Sequence, residues 1–339
     1  MMRSGEARVF RVEEESGVGE ARRAAVTLAR VSGFDEVGCG RVAIVVTEAA
    51  RNLVRHGGGG EVLVTCIVAE GGTTGLDIHA LDHGTGMGDL QQCLQDGYSS
   101  VGSAGEGLGA IARLSAGFDL FSRPRQGTAL LSRLWAGEPP LRQALEVGAV
   151  SVPYPGEMVR GDGWAVVAGE GRLLAMVADG IGHGPQAAAA ARLAEGILVG
   201  EWRRSPGEIL TAAHAALRPT RGAALAVTEV VPGRHRVRFA GLGNVTARIE
   251  DRGQSRLLVS LPGTAGHEAR TVREFEYPWP AHALLVMHTD GLATRWGLDQ
   301  YPGVATRLPG LAAGLLYRDH RRGKDDVTVL VAREVEAPK

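Results

Sequence analysis

The stretch Leu173-Leu-Ala-Met-Val-Ala-Asp-Gly-Ile-Gly-His-Gly-Pro-Gln-Ala-Ala-Ala-Ala-Ala191 constrains the fold of this chain more than any other. An apolar run closes on Asp179, three glycines follow within five residues, and an alanine-rich segment with helical potential begins. A strand that enters a glycine turn and then a helix is a general device for holding charged chemistry at a sheet edge. Two chemistries fit. The glycines either cradle a phosphate at a helix N-terminus, or give close backbone access to Asp179 as a metal ligand. Neither G-x-G-x-x-G nor G-x-x-x-x-G-K-[ST] occurs here, which weakens the nucleotide-loop reading. The choice falls to the rest of the chain.

At 339 residues the chain exceeds one average domain, so two are expected. A formal net charge of −1 predicts no general affinity for nucleic acid or for an anionic membrane. Cys39, Cys66 and Cys93 are odd in number and lie in no metal-ligand spacing, as expected of free thiols in a reducing compartment. No run approaches the roughly 18 apolar residues of a membrane span, and the first residues lack the apolar core of a secretory signal. A cytoplasmic location is expected.

Apolar residues at Ala21, Ala24, Ala25, Leu28 and Val31 recur at helical spacing. Asp35 is an N-cap candidate for a second helix with the stripe Val42, Val45, Val46, Ala49, Ala50 and Leu53, ending at Gly57-Gly-Gly-Gly60. Strand patterns follow at 61–69 and 75–82, a polar loop over 83–104, a short helix over 107–116 and a hairpin of 118–122 with 128–134. Ala136-Gly-Glu-Pro-Pro-Leu-Arg-Gln143 breaks every periodicity and reads as the linker. Beyond it, strands are expected at 146–152, 163–168, 172–178, 223–231, 235–240, 245–250, 256–259, 283–289 and 327–332. Helices are expected at 186–202, 207–217 and 310–319.

Glu48, Asn52 and His56 follow at i, i+4 and i+8 and form a stripe beside the apolar face of the second helix. An acid, an amide and an imidazole in line can hold a hydrated divalent ion and orient a nucleophile, although the spacing alone also fits a solvated helix edge. Asp82-His-Gly-Thr-Gly86 closes a strand, and Ser103-Ala-Gly-Glu-Gly-Leu-Gly109 opens a helix whose amides can meet phosphate. In this order the three elements resemble the N, G1 and G2 boxes of the Bergerat-fold (GHKL) ATP-binding domain. The resemblance implies that Asn52 binds Mg²⁺ and that Asp82 binds adenine, with Gly84 and Gly86 in the same box. It also implies that Gly105, Gly107, Leu108 and Gly109 border the phosphates and that Thr128 joins the adenine pocket. The run Thr-Glu-Ala-Ala-Arg-Asn-Leu-Val-Arg-His-Gly-Gly-Gly-Gly looks most like the anti-sigma and switch serine kinases of bacterial partner switching, especially the RsbT type. There Glu48 is the expected general base for a protein serine hydroxyl.

In the second part, acids recur at strand ends: Gly161-Asp162, Asp179-Gly180, Asp290-Gly291 and Asp325-Asp326. Four acidic sites beside glycines or strand termini make sense if they converge on hard divalent cations, and an oxygen-only donor set favours Mg²⁺ or Mn²⁺ over Zn²⁺. Their order, with Ala240-Gly-Leu-Gly-Asn244 and Leu261-Pro-Gly-Thr-Ala-Gly266, resembles the metal-dependent (PPM) protein serine/threonine phosphatases, specifically the SpoIIE and RsbX branch. The resemblance implies that Asp179 bridges two metals, with the Gly180 carbonyl and Asp162 on one and Asp290 and Asp325 on the other. Asp326 stands where many relatives have Asn and is the weaker ligand candidate of its pair. Many members carry a leaving-group His two residues after the bridging Asp; that position here is Ile181. His183 either substitutes for it or packs the loop.

The expected fold is α/β (α+β) in two domains. A Bergerat α/β sandwich is expected over 5–135, a linker over 136–143 and a PPM α-β-β-α sandwich over 144–334. The expected function is a partner-switching regulator with an ATP- and Mg²⁺-dependent serine-kinase-like module and a phosphoserine/phosphothreonine phosphatase using two Mn²⁺ or Mg²⁺. The implied partner is a STAS-domain antagonist or another phosphoprotein of such a pathway, with a sigma factor or a cyclase downstream and a homodimer compatible with it. The alternative is a phosphatase whose first module only senses ATP or binds a sigma factor.

Overall fold

The computed structural model describes residues 2–88, 107–140, 145–157, 159–269 and 271–335. The fold is mixed α/β, and the chain divides into two compact units, Gly5–Pro140 and Met1–Ser4 with Leu141–Lys339. Among the described residues no helix is long and apolar enough to cross a membrane.

The first unit runs from β1 (Met2–Val12, of which residues 5–12 belong to it) through α1 (Glu15–Val31), α2 (Glu36–Asn52), β2 (Gly60–Val68), β3 (Thr74–Leu81), α3 (Gly107–Leu114), β4 (Gly117–Ser122) and β5 (Thr128–Trp135). Its strands lie in the order β1-β2-β3-β5-β4, antiparallel at β2/β3, β3/β5 and β5/β4. Alternation along a strand sends Val62, Val64, Leu76 and Ile78 to one face, where they meet Leu28, Val42, Val45, Val46 and Ile111 of the helices. Asp35 caps α2 by accepting from Gly38 N at 2.7 Å, which offsets the poor helix propensity of Gly38 and Gly40.

α2 departs from expectation at its end. It is α-helical only to Asn52; Leu53–Gly57 form a wider π turn, closed by Gly58 in the left-handed region at φ 67°. The wide turn brings the Gly57 backbone against Asp82, so close that a Cβ there would lie 2.9 Å from the Asp82 Cβ. Cys39 and Cys66 are buried free thiols, and Cys93 lies outside the described residues.

The second unit stacks two sheets. One contains β7 (Asp162–Gly169), β8 (Arg172–Gly180), β9 (Ala223–Val231), β10 (Arg236–Leu242) and β13 (Phe275–Pro278); the other contains β6 (Leu145–Val152), β11 (Thr246–Asp251), β12 (Gln254–Leu257), β14 (Leu284–His288) and β15 (Val327–Glu334). Trp164, Val166, Leu173, Ala175 and Val177 point between the sheets, facing Ala247, Leu285, Met287 and Leu330. Their neighbours Ala165, Leu174, Met176 and Ala178 point outward, under helices α4 (Pro185–Gly200) and α5 (Pro206–Ala216). β8 is therefore buried on both faces, which is why it reads as a continuous apolar run. Helix α6 (Pro309–His320) covers β6 and β15 on the other side.

The alanine run of α4 has a packing cause. A Cβ on Gly180 would lie 2.4 Å from the Ala187 carbonyl oxygen, and one on Gly163 3.0 Å from the Ala191 Cβ. Only small residues on both sides let the helix lie this close to the strand ends. β13 is absent from the expected strands: four residues ending in proline are too short a run to read as a strand, and pairing with β10 supplies the order.

Glu229 on β9 is 1% exposed and is held from both neighbouring strands, accepting from Arg172 Nη1 at 2.7 Å and from Arg238 Nε. Burial alone would raise its carboxyl, but the hydrogen bonds from Arg238 and Arg172 hold it below the ordinary carboxylate range. Glu229→Ala is expected to cost about 3 kcal/mol in denaturant unfolding at pH 7, because two guanidiniums lose their shared acceptor. A folded-state value below the unfolded one gives stability that is present above pH ~4.5 and fades as the pH falls through the lowered value. The gap between wild type and Glu229→Ala should therefore shrink in acid.

Candidate functional sites

In the first unit, the end of α2 and the start of α3 meet at Gly107. A Cβ on Gly107 would lie 3.0 Å from Glu48 Oε2 and 3.8 Å from Asn52 Oδ1, so the absence of a side chain lets the helix start reach both groups. Glu48 is otherwise held only loosely, with Arg51 Nη1 3.7 Å from its Oε1. His56 is exposed, and it is its carbonyl rather than its ring that approaches Gly84.

Asp82 forms a second focus, just past the end of β3. Its Oδ1 accepts from Gly84 N at 2.8 Å and from Thr128 N at 3.1 Å, while its own N–H donates to Thr128 O at 2.9 Å. Gly86 lies against the Arg123 carbonyl, locking the loop to the β4–β5 hairpin. The Thr128 and Ser122 hydroxyls are 2.9 Å apart. Gly109 is buried, and Leu108 packs on the core of the unit. Gly105 lies outside the described residues. Through Gly57, which touches Asp82, the foot of α2 is physically joined to this second focus.

In the second unit, the β7–β8 register places Asp162 directly opposite Asp179. Like charges directly opposite across an antiparallel pair repel. Burial and then the charge of Asp179 push the Asp162 carboxyl well above its ordinary range. Asp179 is pushed up to about 7 by burial and then by Asp290, Asp325 and Asp326, all acting in one direction. Asp290 is raised by burial and by Asp325. Acids from the ends of β7, β8, β14 and the start of β15 thus press on one another. Among the described residues no three His, Cys, Asp or Glu side chains already close on one point as a ligand cage.

Protein donors hold these acids in place. Thr289 Oγ1 donates to Asp162 Oδ2 at 2.7 Å and accepts from Thr328 N at 2.9 Å, tying the two sheets at their ends. Asn244 Nδ2 donates to Asp290 Oδ2 at 2.7 Å. Asp326 is used differently from its neighbour: its oxygens accept from Tyr154 N at 2.8 Å and Gly161 N at 2.9 Å, so it anchors the segment leading into Asp162. His183 stacks on Tyr154 with ring centroids 4.9 Å apart, and its Nδ1 lies 2.9 Å from Glu157 Oε1.

The family model for a histidine kinase-like ATPase domain matches residues 11–132, and that for stage II sporulation protein E (SpoIIE) matches residues 169–334. The serine/threonine-protein kinase RsbT of Bacillus subtilis (strain 168) is 33% identical over 125 residues, which are 37% of this chain and 93% of RsbT. The chain is an RsbT-family protein fused to a SpoIIE-type phosphatase domain. A solved chain described under "The bacterial stressosome: a modular system that has been adapted to control secondary messenger signaling" is 29% identical, with TM-score 0.53, covering 56% of this chain and all of that one. The RsbU and RsbW domains of Rv1364c from Mycobacterium tuberculosis share the fold at 19% identity and TM-score 0.50, covering 59% of this chain and 62% of that one.

Several residues of these sites carry no motif of their own. Glu157 sits in Tyr-Pro-Gly-Glu, where no period or motif marks it. Asn244 belongs to a recognised motif and Thr289 adjoins Asp290, but only the fold shows that they hold Asp290 and Asp162 respectively. Because Asp179 is a centre of unrelieved repulsion, Asp179→Asn is expected to raise metal-free stability by about 1–3 kcal/mol at pH 7.5. The same variant should show a smaller rise in melting temperature on adding Mn²⁺. Thermal unfolding with and without Mn²⁺ reads both effects.

Proposed function

We propose that the second unit removes phosphate from phosphoserine or phosphothreonine in a protein, using two Mn²⁺ or Mg²⁺ ions. The observation that carries this reading is the placing of Asp162 opposite Asp179 in register, with Asp290 and Asp325 near enough that their charge, after burial, pushes the Asp179 carboxyl up to about 7. Such a donor set suits hard divalent cations, which would relieve the repulsion. Asp162, Asp179, the Gly180 carbonyl, Asp290 and Asp325 would hold the ions. Bound there, the ions would supply an acidified water and neutralise phosphoryl oxygens.

The remaining work falls to side chains of this chain. Thr289 and Asn244 fix one oxygen each of Asp162 and Asp290, which restricts the carboxylates before anything binds. Glu157 holds His183 through Nδ1, which leaves Nε2 as the atom through which His183 would pass a proton to the departing serine oxygen. His183 is the catalytic acid in this reading, and Tyr154 holds its ring plane.

In the first unit, Asn52 would hold Mg²⁺ and Asp82 would accept the adenine amine. Asp82 is oriented for this by Gly84 N and Thr128 N on its other oxygen. Gly84, Gly86, Gly107, Leu108, Gly109 and Thr128 would border the nucleotide, as the resemblance implies for Gly105 too, and Glu48, at the Gly107 contact, would be the base for a protein serine hydroxyl. The likeness to the serine/threonine-protein kinase RsbT supports phosphotransfer to a protein hydroxyl; in this reading the acceptor is a STAS-domain antagonist, which the second unit would then dephosphorylate.

The test supplies ATP, Mg²⁺, Mn²⁺ and a candidate STAS protein and follows phosphoserine by mass spectrometry. Asp179→Asn is expected to raise the phosphorylated fraction at least tenfold and Asn52→Ala to abolish it. If neither variant moves that fraction, the two-activity reading is wrong. ATP binding without transfer would leave the first unit as a nucleotide sensor.

A further inference from the structure

The geometry points to Arg221 as the residue that recognises the phosphoryl group of the substrate. This inference rests on the phosphatase reading of the second unit. An acid-lined site repels a phosphate dianion, so its oxygens need cationic partners at the rim as well as at the floor. Arg221 stands at that rim. It immediately precedes Gly222 and the start of β9, whose Ala223 and Ala224 pair with Gly180 and Asp179. A Cβ on Gly182 would lie 3.2 Å from Arg221 Nη1, so the guanidinium lies directly over the loop between Asp179 and His183.

The backbone that presents Arg221 is fixed on both sides. Thr220 Oγ1 donates to Leu217 O at 2.7 Å and accepts from Gly222 N at 2.9 Å. His267 Nε2 lies 3.1 Å from Thr220 O, and Gly222 O accepts from Ile181 N at 3.1 Å. Gly222 takes φ +79° and is packed so closely that a Cβ would lie 2.6 Å from the Ala265 carbonyl oxygen. The side chain carried by this rigid turn is exposed, and among the described residues it has no hydrogen-bond or ion-pair partner. A fixed backbone under an uncommitted guanidinium suits a planar, charge-assisted fork onto phosphate oxygens. The Arg172 and Arg238 side chains, by contrast, are both committed to Glu229.

The test measures inorganic phosphate binding to the Mn²⁺-loaded full chain by calorimetry, together with KM and kcat on a phosphoserine peptide. Arg221→Ala is expected to weaken phosphate binding and raise KM by tenfold or more, with a smaller change in kcat. Arg221→Lys should recover part of that loss, and Arg256→Ala on the exposed strand β12 should change nothing. Mn²⁺ affinity and melting temperature should match wild type in all three. Unchanged phosphate binding and KM in Arg221→Ala would overturn the inference, as would a loss explained by weaker Mn²⁺ binding. A wild-type protein that hydrolyses no phosphopeptide would instead sink the phosphatase reading itself.

Discussion

The opposition of Asp162 and Asp179 across the β7–β8 pair is the constraint on which the second unit depends. Register in a sheet is normally set by which face is buried, and here both faces of β8 are buried. Size rather than polarity then fixes it: Trp164 fills the space between the sheets while Ala165 lies under the helices, and that register sets the two acids opposite each other. A slip of one residue would exchange the inter-sheet side chains with those under α4 and α5. The fold thus commits its apolar core to holding two acids face to face, where burial and like charge favour their protonated forms and a bound cation would favour the charged ones. Thr289, reaching from the second sheet to Asp162, extends the same logic, because the sheets must be stacked before that hydroxyl can arrive.

The first unit meets a comparable problem with glycine. Its two foci, one at Glu48 and Asn52 and one at Asp82, are joined by places where backbone stands in for side chain: Gly107 against Glu48, Gly57 against Asp82. The π turn at Leu53–Gly57 is the means by which α2 reaches Asp82 after its α-helical part has ended. An acid whose one oxygen is fixed by two backbone N–H groups is oriented before any nucleotide is present, which is what selective recognition of a base edge requires.

Much of this was legible in the sequence. Strands such as Leu173–Ala178 and Ala223–Val231 are long, apolar and bounded by glycine, so their existence and burial follow from pattern alone. Asp35 as the cap of α2 follows from its position before an apolar stripe. What the sequence hid depends on tertiary partners. The helical segment that begins with α2 ends at Gly57 as its glycine run indicates, but the π character of its last turn leaves no periodic trace. β13 is ordered by its neighbour rather than by its own composition. Glu157 and Asn244 matter only because folding brings them to His183 and Asp290, 26 and 46 residues away. Local chemistry, by contrast, is a poor guide: the Asp-Gly of Asp179 and the Asp-His-Gly of Asp82 look alike, yet one stands among acids and the other among backbone donors.

A kinase-like and a phosphatase-like unit on one chain make opposing chemistry possible at a single phosphoprotein, and the proposal stands or falls on the metal centre. The most direct measurement is anomalous diffraction at the manganese edge from crystals grown with Mn²⁺. The account predicts two manganese peaks, both in contact with the Asp179 carboxylate. Crystals of active protein with no manganese at Asp179 would contradict it.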